Sequence, residues 1–506
     1  MHANGDNFAR EGAGVAAYRY VQRETTTLYK KESGSAEKFD LLWGDRVEVV
    51  QTGARTMVRA RGATGWVTSS HLGTKRLLEV YFIDVGQGDG ILISMPDGRH
   101  VMIDGGFPRK NQPTRKNAAD FVDWKFAKDY QRKNIELDAL IVSHNDSDHY
   151  GGVSDLLDVE QEADLDADGV TVEAFYHAGL SWWEGSSGKT LGRTRSVDGE
   201  SFFVDLLGDR NHVQQTVRPS ASPRLQGWWR QLFERVLDTK TKSGEPTPIE
   251  RLSHVTGYVP GFEPGAETAS LVVLAPVEFE IEDEPAIREM PGSSSKSTNG
   301  NSVLLRLDYG SARILLTGDL NTGSQQYLLQ DYEGEEGEFA CDVAKACHHG
   351  SDDVSYDFLR RVEAAATIIS SGDGEGHDHP RPSVLAASAT TGYFETEDDQ
   401  LVSPLVYSTE LVRSYALGHA NKVTLPPAVG GHTATGDDAE ATEIGYRYLS
   451  NAFNSKHGSK RLKETPVVAR LIYGLVNVRT DGQKILLATR DEAGGGWHTK
   501  WLKSRF

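Results

Sequence analysis

Cysteine is nearly absent from this sequence, since the 506 residues include only Cys341 and Cys347. Two cysteines are too few for a disulfide framework and lack the spacing of a thiolate zinc site, so we expect ordinary buried thiols. No run approaches the roughly 18 consecutive apolar residues that a membrane-spanning helix needs. The opening residues also lack the basic start and apolar core of a secretory signal. These absences predict a soluble, cytoplasmic protein without membrane insertion.

An excess of positive charge is missing as well. Against 54 Lys and Arg residues stand 73 Asp and Glu residues, for a formal charge of −19. Because such a field repels polyanions, nonspecific binding to a long duplex is not the default expectation. Hydrophobic residues make up 38% and charged residues 25%, a globular balance that predicts a folded chain of two or three domains at this length.

The chain divides into regions of different pattern. Residues 1–15 are small and polar and read as a flexible tail, whereas 16–76 contain short β-like runs separated by turns, as in a small barrel. From 77 to 392 β and α signals alternate, which predicts a layered α/β domain, with a less regular insertion at about 155–270. The remaining residues, 393–506, form a C-terminal extension.

Three elements are predicted within that extension. The pattern indicates a helix over 437–455 and strands over 467–473 and 484–489, and the strands are expected to complete a sheet. Earlier in the chain, a buried strand over 136–144 is followed by a helix from about 153 to 157.

Histidines and aspartates are concentrated directly after that buried strand. The run SHNDSDHYGG places His144, Asp146, Asp148 and His149 within six positions. In an extended stretch residues i and i+2 share a face, so His144 and Asp146 point to one site, and a turn brings the other two to an adjacent one. Without a cation, such a group would force like charges and unpaired histidines together. The pattern therefore predicts two neighbouring metal ions.

Further candidate ligands follow other apolar strands. Asp319 ends ARILLTGD, His348 and His349 follow VAKAC, and His379 follows a short apolar run and its glycine-rich loop. Sites in layered α/β folds assemble where the carboxyl ends of several strands meet. We therefore expect these side chains to converge with the first group.

These segments together resemble a known family. His144–His149, with Asp146 where the usual second histidine stands, is similar to the metal motif of the metallo-β-lactamase superfamily. With DVGQGD at 84–89, MIDGG at 102–106, LLTGD at 315–319 and HHGS at 348–351, the chain resembles the soluble domain of the ComEC-type competence DNA-uptake family over roughly residues 77–390. The resemblance implies an αββα metallo-β-lactamase sandwich with the metals at one edge, which 393–506 would complete.

The resemblance also implies roles for individual residues. The metal shell would consist of His144, Asp146, Asp148, His149, Asp319 and one of His348 and His349. Asp319 would bridge the two metals, while Asp104, with Asp84 and Asp89 of the first motif, would support the site. Asp148 and His379 would be catalytic, and His379 would serve as a ligand or as a proton donor to the leaving group. No separate third-motif histidine is evident, although His177 is an alternative occupant.

The N-terminal region carries a second resemblance. LLWGDRVEVVQTGARTMVRARGATGWV is similar to the bacterial SH3-like domain, which implies a small β-barrel before the sandwich. Two interpretations stay open: a module that binds a protein or peptide partner, and an appendage that serves packing or dimerisation.

The ligand types indicate the cofactor and the reaction class. An aspartate in place of a histidine makes the shell richer in oxygen, so we expect two divalent ions, zinc or manganese. Either ion lowers the pKa of a bound water from 15.7 towards about 7 and makes hydroxide available at neutral pH. The predicted reaction is metal-assisted hydrolysis.

One local charge pattern indicates the substrate. Residues 109–133 contain eight basic and three acidic residues, although the whole chain is acidic. Lys110, Arg115 and Lys116 are therefore candidate phosphate-binding residues, which favours a phosphodiesterase or nuclease acting on DNA or, given the charge, small nucleotides. The alternatives are hydrolysis of a non-phosphate ester or amide, of the lactonase or thioesterase type, and a non-catalytic, metal-stabilised binding protein.

Overall fold

The structure is a computed structural model, and it describes most of the chain. The described residues are 17–112, 115–158, 165–186, 188–265, 268–372, 379–409, 414–419, 422–425, 427, 430–447, 457–462, 466–472, 474–490 and 496–506. The chain forms two compact units, of which one contains Met1–Val412 with Gly474–Phe506 and the other Arg413–Tyr473. Within the described residues, no helix combines the length and the apolar character needed to cross a bilayer.

The N-terminal region forms one antiparallel sheet of seven strands in the order β3-β2-β6-β5-β4-β1-β7. The strands are β1 (Ala17–Val21), β2 (Thr25–Tyr29), β3 (Glu37–Leu42), β4 (Arg46–Gln51), β5 (Arg55–Ala60), β6 (Ala63–Thr68) and β7 (Leu72–Gly73). This sheet agrees with a small β domain, while its assignment as SH3-like stays a prediction.

The next part of the chain alternates strands with helices. Its elements are β8 (Leu78–Phe82), β9 (Ile91–Ser94), β10 (His100–Ile103), α1 (Ala118–Trp124), β11 (Asn134–Leu137), β12 (Ala139–Val142), α2 (Ser147–Leu156), β13 (Gly169–Val172), β14 (Phe175–His177), β15 (Trp183–Gly185), β16 (Gly188–Thr190), β17 (Thr194–Val197), β18 (Glu200–Phe203), α3 (Arg210–Thr216), α4 (Gly227–Asp238) and β19 (Ile249–Arg251).

A second series of elements follows the predicted insertion. It consists of β20 (Ser270–Ala275), β21 (Glu278–Ile281), β22 (Glu284–Arg288), α5 (Ser294–Gly300), β23 (Leu304–Tyr309), β24 (Ala312–Leu316), α6 (Thr322–Asp331), β25 (Val343–Lys345), α7 (Tyr356–Val362), β26 (Ala366–Ile369), α8 (Pro382–Thr391), β27 (Glu395–Glu397), β28 (Gln400–Ser403) and β29 (Leu405–Ser408).

The smaller unit and the last strands complete the element order. The smaller unit contains β30 (Ser414–His419), β31 (Lys422–Thr424), β32 (Thr433–Thr435), α9 (Asp437–Ala441), β33 (Glu443–Arg447), β34 (His457–Arg461) and β35 (Pro466–Ile472). The chain then returns to the larger unit with β36 (Val476–Thr480), β37 (Lys484–Arg490) and β38 (Trp497–Lys503).

Two large sheets form the centre of the larger unit. One has nine strands in the order β19-β14-β12-β10-β9-β8-β36-β37-β38, and the other has six in the order β20-β23-β24-β25-β26-β29. Alternation along β8 shows how the sequence builds the layers, since Val80 and Phe82 enter the core between the sheets while Tyr81 faces a second core beneath α1, α2 and α4. A third core lies between the six-stranded sheet and α6 and α7. Helices thus cover both outer faces, which confirms the predicted αββα sandwich.

The N-terminal sheet packs against the edge of this sandwich. The Trp43 and Trp501 rings lie 5.0 Å apart between centroids, beside buried Leu486. The guanidinium of Arg479, which is buried, donates to Asp45 Oδ1 at 2.8 Å. Because a buried charge is costly unless it is paired, this ion pair fixes how the two sheets meet.

Two predicted elements differ from the structure. The helix expected at 153–157 begins earlier, at Ser147, and the helix expected over 437–455 is wrong because α9 ends at Ala441 and β33 follows. Cross-strand pairing of β33 with β34 overrides the helical pattern there; residues 448–455 lie outside the described residues. The strand predicted at 467–473 pairs with β30, whereas the one at 484–489 joins the nine-stranded sheet.

Candidate metal centre

The carboxyl ends of strands from both sheets carry the predicted ligands. In the nine-stranded sheet β10 and β12 are parallel; Asp104 follows the first and His144 the second. In the six-stranded sheet β24 and β25 are parallel; Asp319 follows the first and residues 348–349 the second. The backbone N–H of Val303, just before β23, donates to the carbonyl of Ser143 at 2.9 Å and joins the two edges.

Four buried side chains converge at this edge: Asp89, His149, Asp319 and His349. Their nearest ligand atoms all lie within 4.8 Å of one another. Nε2 of His149 is 3.2 Å from Oδ2 of Asp319 and 3.2 Å from Nε2 of His349, which is 2.9 Å from the same oxygen. Two ligands of one tetrahedral zinc, each at about 2.0–2.1 Å, lie roughly 3.3 Å apart. The spacing therefore suits a small divalent cation.

Hydrogen bonds orient both histidines of this cluster. Nδ1 of His149 donates to Oδ2 of Asp104 at 2.8 Å, and the other oxygen of that carboxylate accepts from the backbone N–H of Ser143 at 2.8 Å. Nδ1 of His349 donates to the carbonyl of Ser370 at 3.1 Å. Since each Nδ1 carries the donated proton, Nε2 is the ring nitrogen that faces the cluster and would bind a metal in place of its own proton, as in metal-binding histidines.

A second and wider group of donors lies beside the first, formed by His144, Asp146, Asp148 and His348. Oδ2 of Asp148 is 3.8 Å from Nε2 of His349, and Nε2 of His348 is 4.0 Å from Oδ2 of Asp319. The side-chain amide of Asn299 also lies 3.2 Å from Nε2 of His348. Asp319 thus stands between the two groups.

The electrostatics of the site reflect this crowding. Burial and the neighbouring Asp148 raise the pKa of Asp146 to about 6. Burial alone would also raise the pKa of Asp89, but Lys345 and His349 lower it to about 2. Conversely, burial opposes a charged imidazole, yet Asp319 and Asp89 raise the pKa of His349 to about 9. Carboxylates and imidazoles at these distances share protons or a cation, and a bound metal takes the place of the histidine protons.

A buried ring nitrogen of His144 indicates that the residues fit a metal ion. Nε2 of His144 is buried and has no hydrogen-bond partner in the part of the chain that the structure describes, while Oδ2 of Asp146 lies 3.9 Å away. Buried polar atoms are rarely left unpaired, and a role as a ligand accounts for this one. The mixture of imidazole and carboxylate donors fits zinc or manganese.

The backbone at the site is held in an uncommon conformation. Asp104, His348 and His349 have φ values of 55°, 47° and 54°, in the left-handed region that side chains other than glycine rarely adopt. Such strain persists only where the surrounding structure enforces it, and it concentrates at functional sites. Here it turns the two histidines of a single short helical segment, Cys347–Gly350, towards the cluster.

Glycines allow the loops to pack backbone against backbone. A Cβ at Gly88 would lie 2.0 Å from the carbonyl oxygen of Asp148, and one at Gly152 would lie 1.9 Å from that of Gly105. The N–H of Gly105 in turn donates to the carbonyl of His149 at 2.7 Å. The absence of side chains at these glycines therefore allows the loop backbones to approach each other closely. Gly152 lies inside α2 and not before it, as the predicted helix start would have placed it.

One family model matches the part of the chain that contributes the first half of this site. Residues 83–213, which include Asp89, Asp104 and the 144–149 run, match the model of the metallo-beta-lactamase superfamily. The chain contains a metallo-β-lactamase domain. Asp89 and His149 of the buried His and Asp cluster, which suits a metal ion, lie within the matched residues.

Two curated proteins resemble the chain over part of its length. The chain is 24% identical over 318 residues to ComE operon protein 3 of Bacillus subtilis (strain 168), which covers 61% of this chain and 30% of that protein. It is 36% identical over 87 residues to competence protein ComA of Neisseria gonorrhoeae, covering 17% and 12%. The chain therefore spans less than a third of the length of these relatives.

Solved structures of low similarity include a diphosphatase from the PhnP family, with 11% identity, a TM-score of 0.28 and coverage of 66% of this chain and 95% of that one. A metal-dependent hydrolase of the beta-lactamase superfamily has 13% identity, a TM-score of 0.29 and coverage of 66% and 96%. At these scores the likeness says nothing about the substrate.

Three other residues predicted for the site, Asp84, His379 and His177, lie outside the cluster of four buried donors. Asp84 accepts from the backbone N–H groups of Gly86 and Gly474 and so holds the first motif's turn. His379 is half-buried with its ring 5.9 Å from that of His348. His177 lies outside the cluster, since its ring nitrogens hydrogen-bond to the backbone at Gly179 and Gly208.

The basic segment is largely neutralised by its own neighbours. Five of its eight cations form ion pairs: Arg109, Lys116, Lys125, Lys128 and Arg132. Lys116 pairs with Asp120 at 2.7 Å. Lys110 has no carboxylate within 4.0 Å among the described residues, and its ammonium lies 4.4 Å from the centre of the Trp228 ring.

An open cleft of about 610 Å³ gives access to the metal donors. Asp146, Asp148, Asp319, His348 and His379 contribute to its lining. It is also lined by Trp182, Lys189 and Trp228, which come from the segment predicted as an insertion. The site is therefore open on one side to a substrate of appreciable size.

Sequence reasoning missed one buried cation at the site. Nζ of Lys345, the last residue of β25, lies 2.5 Å from Oδ2 of Asp89 and 3.5 Å from Oδ1 of Asp319, and it donates to the carbonyl of Gly318 at 2.7 Å. A lysine three residues before the His pair is a visible signal, but only the fold shows that it points inwards.

Proposed function

We propose that this protein is a metal-dependent phosphodiesterase acting on nucleotides or short nucleic acids. The observation that carries the proposal is the position of the donor cluster on an open cleft whose lining includes Lys189 and the Trp228 ring, against which Lys110 lies. Carboxylates and imidazoles supply the reaction centre, while lysine ammonium groups suit the phosphate oxygens of a substrate. The competence proteins that the chain resembles add weight to a nucleic-acid substrate.

Two sets of residues would hold divalent ions. His149, His349 and Asp319 would hold one, and His144, Asp146 and Asp148 would hold the other, with Asp319 between them. When bound, such ions lower the pKa of water and neutralise charge on a phosphoryl group. Zinc and manganese both remain candidates because the donors are mixed.

Residues of the chain itself would position the reaction. Asp104 and Ser370 hold the imidazoles of His149 and His349 by hydrogen bonds from Nδ1. His379 lines the cleft next to His348, where it would give a proton to the leaving oxygen. Lys345 keeps Asp89 charged within the protein interior.

The acidic surface bears on the size of the substrate. With a formal charge of −19, the whole protein does not attract long polyanions, so phosphate contacts must be local. A short single strand or dinucleotide needs only Lys189 at the cleft and Lys110 beside the Trp228 ring. Much faster cleavage of a long duplex than of short strands at physiological salt would contradict this part of the proposal.

The test combines elemental analysis of the purified protein with a cleavage assay in which Mn²⁺ or Zn²⁺ is added back. We expect metal-dependent cleavage of single-stranded oligonucleotides, lost in Asp148→Ala and kept in the control Asp357→Ala, an exposed carboxylate on α7. Turnover of nitrophenyl esters without phosphodiester cleavage would instead indicate an ester hydrolase. Bound metal that raises thermal stability with no hydrolysis of any class would indicate a binding protein.

The role of His379 has a test of its own. A deoxyribose oxygen leaves with a high pKa and needs a proton, whereas nitrophenolate leaves without one. His379→Gln should therefore slow oligonucleotide cleavage far more than cleavage of a nitrophenyl phosphodiester. Equal losses for both substrates would rule out proton donation to the leaving group.

A further inference from the structure

Two tryptophans from the segment at 155–270 line the cleft that contains the metal donors. Trp182 is buried, and its indole Nε1–H donates to the carbonyl of Asn145 at 2.8 Å, between two predicted metal ligands. Trp228 is different, because 44% of its side chain is exposed. An indole of this size exposed in a cleft calls for an explanation.

The fold of α4 offers no structural role for that indole. The helix buries its other large side chains, Trp229, Leu232, Phe233 and Val236, in the core beneath the nine-stranded sheet. Trp228, in the first turn, is not a member of that core. Its ring instead borders open space on two sides, since it lines both the main cleft and a neighbouring cavity of about 300 Å³.

Cations accompany both indoles. Nζ of Lys110 lies 4.4 Å from the centre of the Trp228 ring, and Nζ of Lys189 lies 3.5 Å from the centre of the Trp182 ring. Both lysines are exposed and have no carboxylate within 4.0 Å among the described residues. In a chain with an excess of 19 negative charges, Lys189 at the cleft and Lys110 at the neighbouring cavity are available for an anionic ligand.

The neighbouring cavity continues this pattern. Its lining contains four basic residues, Arg109, Lys110, Arg115 and Arg235, together with Trp228 and Asp155. The Asp155 carboxylate accepts from the backbone N–H of Arg109 at 2.6 Å, and Arg109 itself pairs with Asp120. The guanidinium of Arg235 forms an ion pair with Oδ2 of Asp158 at 2.5 Å, whereas that of Arg115 donates to the backbone carbonyl of Lys110 at 3.1 Å. The cavity therefore has basic groups where a second phosphate would lie, on the far side of Trp228 from the metal donors.

We propose that Trp228 is a base-stacking platform, and that the substrate is single-stranded and runs from the metal donors across this indole into the cavity lined by Lys110 and Arg115. An aromatic face next to ammonium and guanidinium groups is the arrangement that binds unpaired bases and their phosphates. A duplex keeps its bases stacked inside and cannot use the indole. This inference rests on the proposed phosphodiesterase function and specifies the substrate of that site.

The test is a binding measurement on the whole protein with EDTA present, so that no cleavage occurs. The probes are fluorescein-labelled (dT)4, (rU)4 and a tetramer of stable tetrahydrofuran abasic units, which has the same phosphates without bases. Alanine substitution of an aromatic stacking partner weakens binding by about 5- to 150-fold, so Trp228→Ala should weaken (dT)4 binding at least about fivefold and leave the abasic tetramer unchanged. Trp228→Phe should restore most of the loss. The comparison of (dT)4 with (rU)4 shows whether the strand is DNA or RNA.

Controls separate stacking from other effects. Trp124→Ala removes another partly exposed indole, 38% accessible, which lines neither cavity, and should change no affinity. Lys110→Gln should weaken the (dT)4 and abasic probes by the same factor. Equal loss of both probes in Trp228→Ala, or duplex binding as tight as single-strand binding, would overturn the inference.

Failure of the subsite and failure of the proposed function give different results. If the protein cleaves the abasic tetramer with Mn²⁺ but Trp228→Ala binds (dT)4 normally, only the stacking platform is wrong. If no phosphodiester is cleaved with any metal, the proposed function is wrong, and binding in EDTA still reports on Trp228. Thermal unfolding of Trp228→Ala should match the wild type, because the indole is outside the core.

Discussion

Lys345 and Asp89 form a buried ion pair at the floor of the metal centre, with 2.5 Å between Nζ and Oδ2. Both side chains are almost completely excluded from solvent, and they come from different sheets, β25 and the turn between β8 and β9. The same ammonium also approaches Asp319. One lysine therefore compensates two buried carboxylates, of which Asp319 is one of the proposed metal donors.

Replacing this lysine should destabilise the protein strongly. Lys345→Met leaves Asp89 buried without its cation, and breaking a buried pair costs about 3–5 kcal/mol, measured as the free energy of unfolding in urea with EDTA present. The double variant Lys345→Met/Asp89→Asn should lose less than the sum of the two single variants. As a control, Lys75→Met breaks a surface pair with Asp481 and should cost less than about 1 kcal/mol. Equal effects at the two sites would contradict the buried-pair interpretation.

Asp104 should control metal affinity without touching the metal. Its Oδ2 accepts from Nδ1 of His149 at 2.8 Å, and loss of such a partner weakens metal binding by about 10–100-fold. Asp104→Asn is the appropriate variant, because asparagine tolerates the left-handed conformation at this position. Competition with a chromophoric chelator measures the affinity. Asp97→Asn, at a surface turn, should leave it unchanged, and an unaltered affinity in Asp104→Asn would exclude the positioning role.

Much of this centre was predictable from the sequence because its signals are local. The apolar strand before His144 and the spacing of the following aspartates predict buried ligands at a strand end, and the strands before Asp319 and His349 repeat the pattern. Lys345 was not predictable, because its partner Asp89 is distant in sequence and only packing of the two sheets brings them together. Trp228 was hidden for the same reason, since nothing local distinguishes it from buried Trp229.

Two helical glycines provide a matched test of backbone packing. A Cβ at Gly152 in α2 would lie 1.9 Å from the carbonyl oxygen of Gly105, whereas one at Gly323 in α6 would meet nothing closer than 3.5 Å. Gly152→Ala should therefore lower the free energy of unfolding by about 1–3 kcal/mol or more through overpacking. Gly323→Ala should be neutral or stabilising by up to about 1 kcal/mol, because alanine favours the helix. Chemical denaturation measures the free energy of unfolding of both variants. Equal changes in Gly152→Ala and Gly323→Ala would contradict the close packing of Gly152 against Gly105.

His177 should make stability depend on pH. Burial lowers the pKa of His177 to about 3, from an ordinary value of 6.5. The unfolded state therefore binds a proton at pH 5 and the folded state does not, so stability is lost as the pH falls from about 6.5 towards 3. This loss is about 2 kcal/mol at pH 5.

His177→Gln separates this contribution from others. The variant should lose about 2 kcal/mol less than the wild type when the pH falls from 8 to 5, whatever its stability at pH 8. Denaturant unfolding at both pH values, with EDTA present, measures the difference. His498→Gln, at an exposed position on β38, should retain the wild-type pH dependence. A variant at position 177 that follows the wild-type curve would show that this ring is not the acid-sensitive group.

Lys110 and Lys116 differ by six positions but should differ sharply in nucleic-acid binding. Lys110 lies against Trp228 and lines the second cavity, whereas Lys116 pairs with Asp120 at 2.7 Å and lines neither the cleft nor that cavity. Each phosphate contact on a single strand adds about 0.7 to the slope of log affinity against log salt concentration. Lys110→Gln should therefore reduce the slope for (dT)4 by about 0.7, while Lys116→Gln leaves it unchanged. If Lys116→Gln has the larger effect, the strand follows a different path, because the phosphate would then lie on the α1 side of the basic segment instead of beside the indole.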